Sequence, residues 1–144
     1  MAKPDPALLD PERYPFRCEI ETRFGDLDVN NHLNNVALAG MVEEGRVRFH
    51  AASGFRAAVA DGHAAMIASM AIEYLGQAFY PAPITVHGGA AAIGRSSYAL
   101  ELLLEQQGRV VVFARSVMVC MNQGHPAPLP DSFRQSVAEW MVRS

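Results

Sequence analysis

The stretch RFGDLDVNNHLNN, Arg23 to Asn35, gathers Asp26, Asp28, Asn30, Asn31, His32, Asn34 and Asn35 into one turn-sized segment. A carboxylate can take a proton from water or attack an electrophilic carbon directly, and amide or imidazole neighbours can hold it, the water or a carbonyl oxygen in place. Hydrolysis of an acyl compound is within reach of such a set. Aspartate and asparagine are also ordinary turn residues, because their side chains bond nearby backbone amides. Taken alone, the residue types leave both readings open, with loop structure the commoner of the two.

The flanking elements decide where such a loop would sit. Before it, FRCEIETRF alternates Phe16, Cys18, Ile20, Thr22 and Phe24 with Arg17, Glu19, Glu21 and Arg23, which predicts a strand with one wet face. After it, the chain contains no proline from Val36 to Ser53, with Asn34 or Asn35 placed to cap and Gly54 placed to stop, which predicts a helix over 36–53. Ala37, Ala39, Gly40 and Gly45 would let that helix press closely on a neighbour, and close packing is the expected compensation for glycines that cost about 1 kcal/mol each against alanine. Its unpaired first-turn amides and positive dipole end would lie beside the loop, where they can polarise a carbonyl.

From His63 onward the runs AAMIASMAIEYLG, ITVHGGAAAIG, SSYALELLLEQQ and RVVVFARSVMVCMN predict strands, and their tight spacing predicts antiparallel neighbours. Residues 1–15, MAKPDPALLDPERYP, hold four prolines and two Asp-Pro pairs, which predicts an extended arm without regular structure ahead of a single domain over 16–144. The proline-interrupted tail is expected to finish in a short helix. One strand, one long helix and four strands in series give an α+β class, an antiparallel sheet wrapping one helix.

Composition narrows the function. Half the residues are hydrophobic and 19% are charged, as in a globular domain. With neither an apolar run of spanning length nor a basic-then-apolar leader, a cytoplasmic protein is expected rather than a membrane or secreted one. A net charge of -3 without a basic cluster argues against a nucleic-acid surface. Cys18 and Cys120 lie outside any Cys-x-x-Cys or Cys/His cluster and are expected as reduced thiols in strands; His50, His63, His87 and His125 have no ligand spacing, so no metal is expected.

DLDVNNHLNN followed by EEGR resembles the hotdog-fold thioesterases, in the branch that contains hydroxybenzoyl-CoA, bacterial acyl-CoA and plant acyl-carrier-protein thioesterases. The family's D-x-D, H-V-N-N and helix-borne E-E-x-R fall here on Asp26 and Asp28, on His32, Asn34 and Asn35, and on Glu43, Glu44 and Arg46. The resemblance spans nearly the whole domain. It implies a hotdog fold, with a five-stranded antiparallel sheet around the helix, and hydrolysis of an acyl-CoA thioester to free acid and CoA. It also implies a homodimer or dimer-based tetramer with shared sites. Asp28 would be the catalytic carboxylate, as general base or nucleophile, and Asp26 a support of the loop. Asn30 and His32 match the N-x-H of the plant branch, where they position carboxylate, water or carbonyl.

The same resemblance puts Asn34 and Asn35 in a substrate-binding set, one as helix cap and the other as loop support. Glu43 and Glu44 are solvated charges paired with Arg46 to Arg48, unless one of them faces the next subunit's site. Arg95, beside Ser96 and Ser97 at a hairpin, is the candidate contact for the CoA phosphates, against the plainer reading of a turn with an exposed arginine. CoA belongs to the substrate, so no cofactor is implied. An acidic chain with scattered arginines favours CoA over an acidic carrier protein as the acyl donor. Two other functions occur on this fold. Hydratases and dehydratases resemble D-x-N-P-x-H, with a proline and one more residue than Asp28-Val29-Asn30-Asn31-His32. A non-catalytic acyl-CoA sensor needs a partner-binding module, for which only the short arm is available.

Overall fold

The first predicted strand stops early, and the reason is local. In the computed structural model, which describes residues 3–59 and 63–144, β1 covers only Phe16–Ile20 and the chain then turns through a 3-10 helix at Phe24–Asp26. Asp26 folds back to accept the Arg23 N–H at 3.1 Å and its guanidinium at 2.8 Å. Thr22 stays buried, but Phe24, expected on the same inward face, is 75% exposed.

Helix α1, Asn35–Ala52, begins with Asn34 as its cap, whose Oδ1 accepts the Ala37 N–H at 2.6 Å. It ends before Gly54, which takes φ 85, a left-handed conformation that glycine adopts without strain. Its inner face carries Leu38, Met41, Val42, Gly45 and Phe49. Close packing explains Gly45, since a Cβ there would stand 2.8 Å from Val86 Cγ1. It does not explain Gly40, which faces open space.

A short helix α2 (Phe55–Ala58) leads to β2 (His63–Tyr74), β3 (Ile84–Ala91), β4 (Ser97–Gln106), β5 (Arg109–Asn122), a two-residue β6 (His125–Pro126) and α3 (Asp131–Ser136). The sheet runs β1-β3-β4-β5-β2, all pairs antiparallel, with β6 added on β5. β3, β4 and β5 pair in series as their spacing predicts, whereas β2 passes over β3 to pair with β5 and becomes an edge. The curled sheet holds α1 against Val86, Leu100, Leu102, Leu104 and Met118. This is the hotdog arrangement.

On the outer face Leu103 and Phe113 pack with Tyr14, covered by Leu8, Leu9 and Val142. The arm is therefore not extended: it coils into 3-10 turns at Pro6–Leu9 and Pro11–Arg13, with Asp5 and Asp10 as side-chain caps. An Asp-Pro pair breaks a preceding helix, but it also supplies the cap and first residue of a new turn. Among the described residues no helix is long and apolar enough to cross a membrane.

Candidate functional site

The loop between β1 and α1 is pinched shut by a bridge between Leu27 and Leu33, with the Asp28 N–H donating to His32 O at 2.9 Å. Inside it Asp28 Oδ1 accepts the Asn30 N–H at 2.8 Å and the His32 N–H at 3.4 Å. Asn31 takes φ 63, a left-handed conformation that asparagine tolerates better than most residues. Asn30 and His32 thus reach Asp28 through their backbone, not their side chains. The carboxylate is exposed, and Oδ2 accepts no hydrogen bond from the described residues.

Asp26 plays the other part. It is 4% exposed and ion-paired to Arg23, and its backbone oxygen accepts the Asn34 N–H at 2.8 Å. That bond joins the 3-10 turn to the head of α1. Because the cap takes the Ala37 N–H and Asn34 O takes the Leu38 N–H, the Asn35 and Val36 amides are the first-turn donors left over. Two groups that sequence patterns did not single out also hold this end: Tyr74 Oη donates to Asn35 O at 3.1 Å, and Phe79 meets the His32 ring edge-on at 5.4 Å.

Two depressions flank the loop and share Gly25. One, about 510 Å³, runs between β1 and α1 past Ile20, Asp26, Ala37, Gly40 and Met41. The other, about 460 Å³ and more open, lies over Phe24, Leu27, Asp28, Val29 and Asn31. Val29 is 98% exposed beside the carboxylate.

The remaining candidates lie farther from Asp28. Glu43 and Glu44 are on the solvent side of α1, the first paired with Arg46 at 3.3 Å and the second with Arg48, and Glu44 also lines the first depression. β3 runs from Ile84, opposite Ile20 near the loop, to Ala91 beyond Phe16, so Arg95, Ser96 and Ser97 occupy the far end of the sheet. There the Arg95 carbonyl accepts the Leu129 N–H at 2.9 Å and the Arg134 guanidinium at 2.7 Å. Within one chain they do not meet Asp28. At that same far end His50 Nε2 bonds Tyr98 Oη among Phe49, Phe55 and Phe133. Burial, helped by the Arg46 charge, pushes His50 down to about 4, and burial pushes the Tyr98 hydroxyl up.

A profile of the thioesterase-like superfamily matches residues 22–140, from just before the loop to near the end of the chain. Among solved structures, a predicted thioesterase from Bacillus stearothermophilus is 28% identical with a TM-score of 0.79, over 90% of this chain and 98% of that one. A thioesterase from Thermus thermophilus, complexed with coenzyme A and Zn, is 27% identical with a TM-score of 0.74, over 88% of this chain and 94% of that one. A protein from Pseudomonas aeruginosa shares the fold at 22% identity and a TM-score of 0.80, over 92% of this chain and 95% of that one. No curated protein matches the sequence.

Proposed function

The chain belongs to the thioesterase-like superfamily, and from that premise we propose that it hydrolyses an acyl-CoA thioester to the free acid and CoA. The observation that carries this reading is the condition of Asp28. One carboxylate oxygen is fixed by loop amides, the other is open to solvent, and the loop runs straight into the head of an 18-residue helix.

Water beside Oδ2 would give its proton to Asp28 as its oxygen bonds to the thioester carbon. The carbonyl electrons move onto oxygen, where the Asn35 and Val36 N–H groups and the positive helix end stabilise the charge. Collapse breaks the C–S bond, and the leaving thiolate takes the proton back from Asp28. Acting instead as nucleophile, Asp28 would bond to the thioester carbon and expel the CoA thiolate, which takes a proton from solvent, leaving a mixed anhydride that water then opens to the free acid and the restored carboxylate. In either route Asn30 and His32 hold the carboxylate, and Asn34 keeps the helix head formed.

Coenzyme A in the Thermus relative supports a CoA-type substrate here. We assign the CoA phosphates to Arg95, Ser96 and Ser97, and a substrate-facing role across a subunit boundary to one of Glu43 and Glu44. Both assignments need a homodimer or a dimer-based tetramer. Its support is β2, a 12-residue edge strand whose Met66 and Met70 are each about half exposed, an edge that pairing with a second copy would cover. The cysteines, free thiols on strands, fit a cytoplasmic setting.

A second reading has one observation in its favour: the bonds to Asp28 Oδ1 are those of an ordinary turn, which a non-catalytic acyl-CoA binder could use equally. Free-thiol release from a panel of acyl-CoAs separates the two. Turnover selects the hydrolase, and saturable binding without thiol release selects the binder. Light scattering at micromolar concentration tests the dimer, which an active monomer would rule out.

A further inference from the structure

Gln106, the last residue of β4, is 1% exposed, and its carboxamide bonds entirely to one irregular segment. Its Oε1 accepts the Phe79 N–H at 2.8 Å, while Nε2 donates to Phe79 O at 2.7 Å and to Ala82 O at 2.8 Å. The connection between β2 and β3 has no strand beside it there, and the glutamine supplies the pairing that a strand would have given.

From that segment three contacts reach the β1–α1 loop. The Leu33 N–H donates to Ala78 O at 2.8 Å, Thr22 Oγ1 donates to Ala82 O at 3.1 Å, and the Phe79 ring abuts His32. Leu33 closes the bridge that contains Asp28, and the His32 carbonyl accepts the Asp28 N–H. A chain of short contacts therefore runs from a buried amide to the open carboxylate. Nothing else bonds to the Phe79 backbone among the described residues.

We propose that Gln106 is a positioning residue for thioester hydrolysis, fixing residues 78–82 and through them the seat of the Asp28–His32 loop on the head of α1. The proposal rests on the assignment of the reaction to Asp28. An exposed loop carboxylate holds its place only as well as its support does, and a displacement of about 1 Å can cost on the order of a hundredfold in rate. Loss of the amide leaves the Phe79 N–H and carbonyl without their protein partner, and leaves Ala82 O with Thr22 alone.

The test uses Gln106→Leu, close in size but without polar atoms. Its kcat for acyl-CoA is expected to fall roughly tenfold to a hundredfold with KM nearly unchanged. Phe133→Leu, which thins the buried cluster at the opposite end of the sheet, should lower Tm but keep kcat below its melting range. In the unsubstituted protein the Leu33 and Phe79 amides should exchange with deuterium at matched protection, as parts of one opening unit; this reading stands even where the leucine variant fails to fold. Wild-type kcat in folded Gln106→Leu, or a Leu33 amide that exchanges far faster than that of Phe79, overturns the proposal. Absence of thiol release by the unsubstituted protein sinks the hydrolase reading and the catalytic half of the proposal with it, leaving the exchange result to judge the clamp.

Discussion

At the head of α1 a half-buried imidazole, His32, leans on Phe79 beside a carboxylate that solvent reaches from one side. At its tail another imidazole, His50, bonds Tyr98 inside a wall of phenylalanines, 8% exposed. Both ends set an imidazole against an aromatic ring. What differs is what each leaves available. The head retains an uncommitted carboxylate oxygen, two helix amides and exposed apolar groups at Phe24 and Val29. The tail has a strongly perturbed histidine that no substrate can reach. The proposed hydrolysis therefore rests on access and unfilled bonding capacity at the head, whereas perturbation taken alone would have pointed to the tail.

The comparison is broken most directly at the head. Asp28→Asn should lower kcat by between about a hundredfold and ten-thousandfold, since a neutral amide neither accepts the proton nor attacks, while Tm stays near its starting value. Asp26→Asn should do the reverse, lowering Tm through the bonds that its buried carboxylate accepts from the Arg23 N–H and the exposed Arg23 guanidinium, and costing a smaller part of the activity. Steady-state thiol release and thermal melts on both variants settle the ranking. Inverted results would mean that the buried aspartate is the reacting one.

At the tail the expected change is in stability against pH. His50 folds with its acidity constant pushed from an ordinary 6.5 to about 4, so between those values the unfolded chain binds a proton that the folded chain refuses. Stability is therefore full above pH 6.5 and falls as the pH drops toward 4, by about 3 kcal/mol from this group. His50→Gln keeps a hydrogen-bonding side chain but does not titrate. Urea titrations at several pH values should give a shallower acid slope for the variant than for the parent, with kcat at neutral pH alike in both. Equal slopes would mean that the tail is more open to water than its burial indicates.

How far the sequence reveals these two ends depends on how local the determining forces are. Apolar runs and the turn residues between them are properties of neighbouring residues, so β3, β4 and β5 are legible, and so is α1 between Asn34 and Gly54. Phe24 is misassigned because a single ion pair, Arg23 to Asp26, redirects the backbone against the pattern. Gly40 and Gly45 look alike in sequence and separate only through Val86, 41 residues beyond Gly45. The supports of the loop, Tyr74, Phe79 and Gln106, act across 27 to 47 residues of chain and leave no local mark. The loop that carries Asp28 is legible through the spacing of its whole segment, but the part its neighbours play as backbone donors to that carboxylate is not.

A smaller effect is expected at the cap that joins loop to helix. Asn34→Ala removes the acceptor of the Ala37 N–H and should cost about 1 kcal/mol, read as a drop in Tm. It also frees one more amide at the helix head. A rise in KM without loss of stability would instead give Asn34 a direct contact with substrate.

The smallest expected effect bears hardest on the comparison, because it concerns a residue at the wrong end. Arg95 stands beyond β3 at the tail, its carbonyl held by Leu129 and Arg134, and its guanidinium makes no hydrogen bond to the described residues. If two copies pair along β2, the tail of one chain can approach the head of the other, and the separation seen in one chain need not survive in the assembly. An exposed cation contributes little to a phosphate contact in water, on the order of 1 kcal/mol, so Arg95→Ala should raise KM for acyl-CoA about threefold to tenfold and leave kcat unchanged. The truncated acyl-pantetheine lacks the nucleotide phosphates and should show no change. An equal effect on both thioesters would remove the phosphate role, and no effect on either would leave Arg95 a turn residue and each head complete without the other chain's tail.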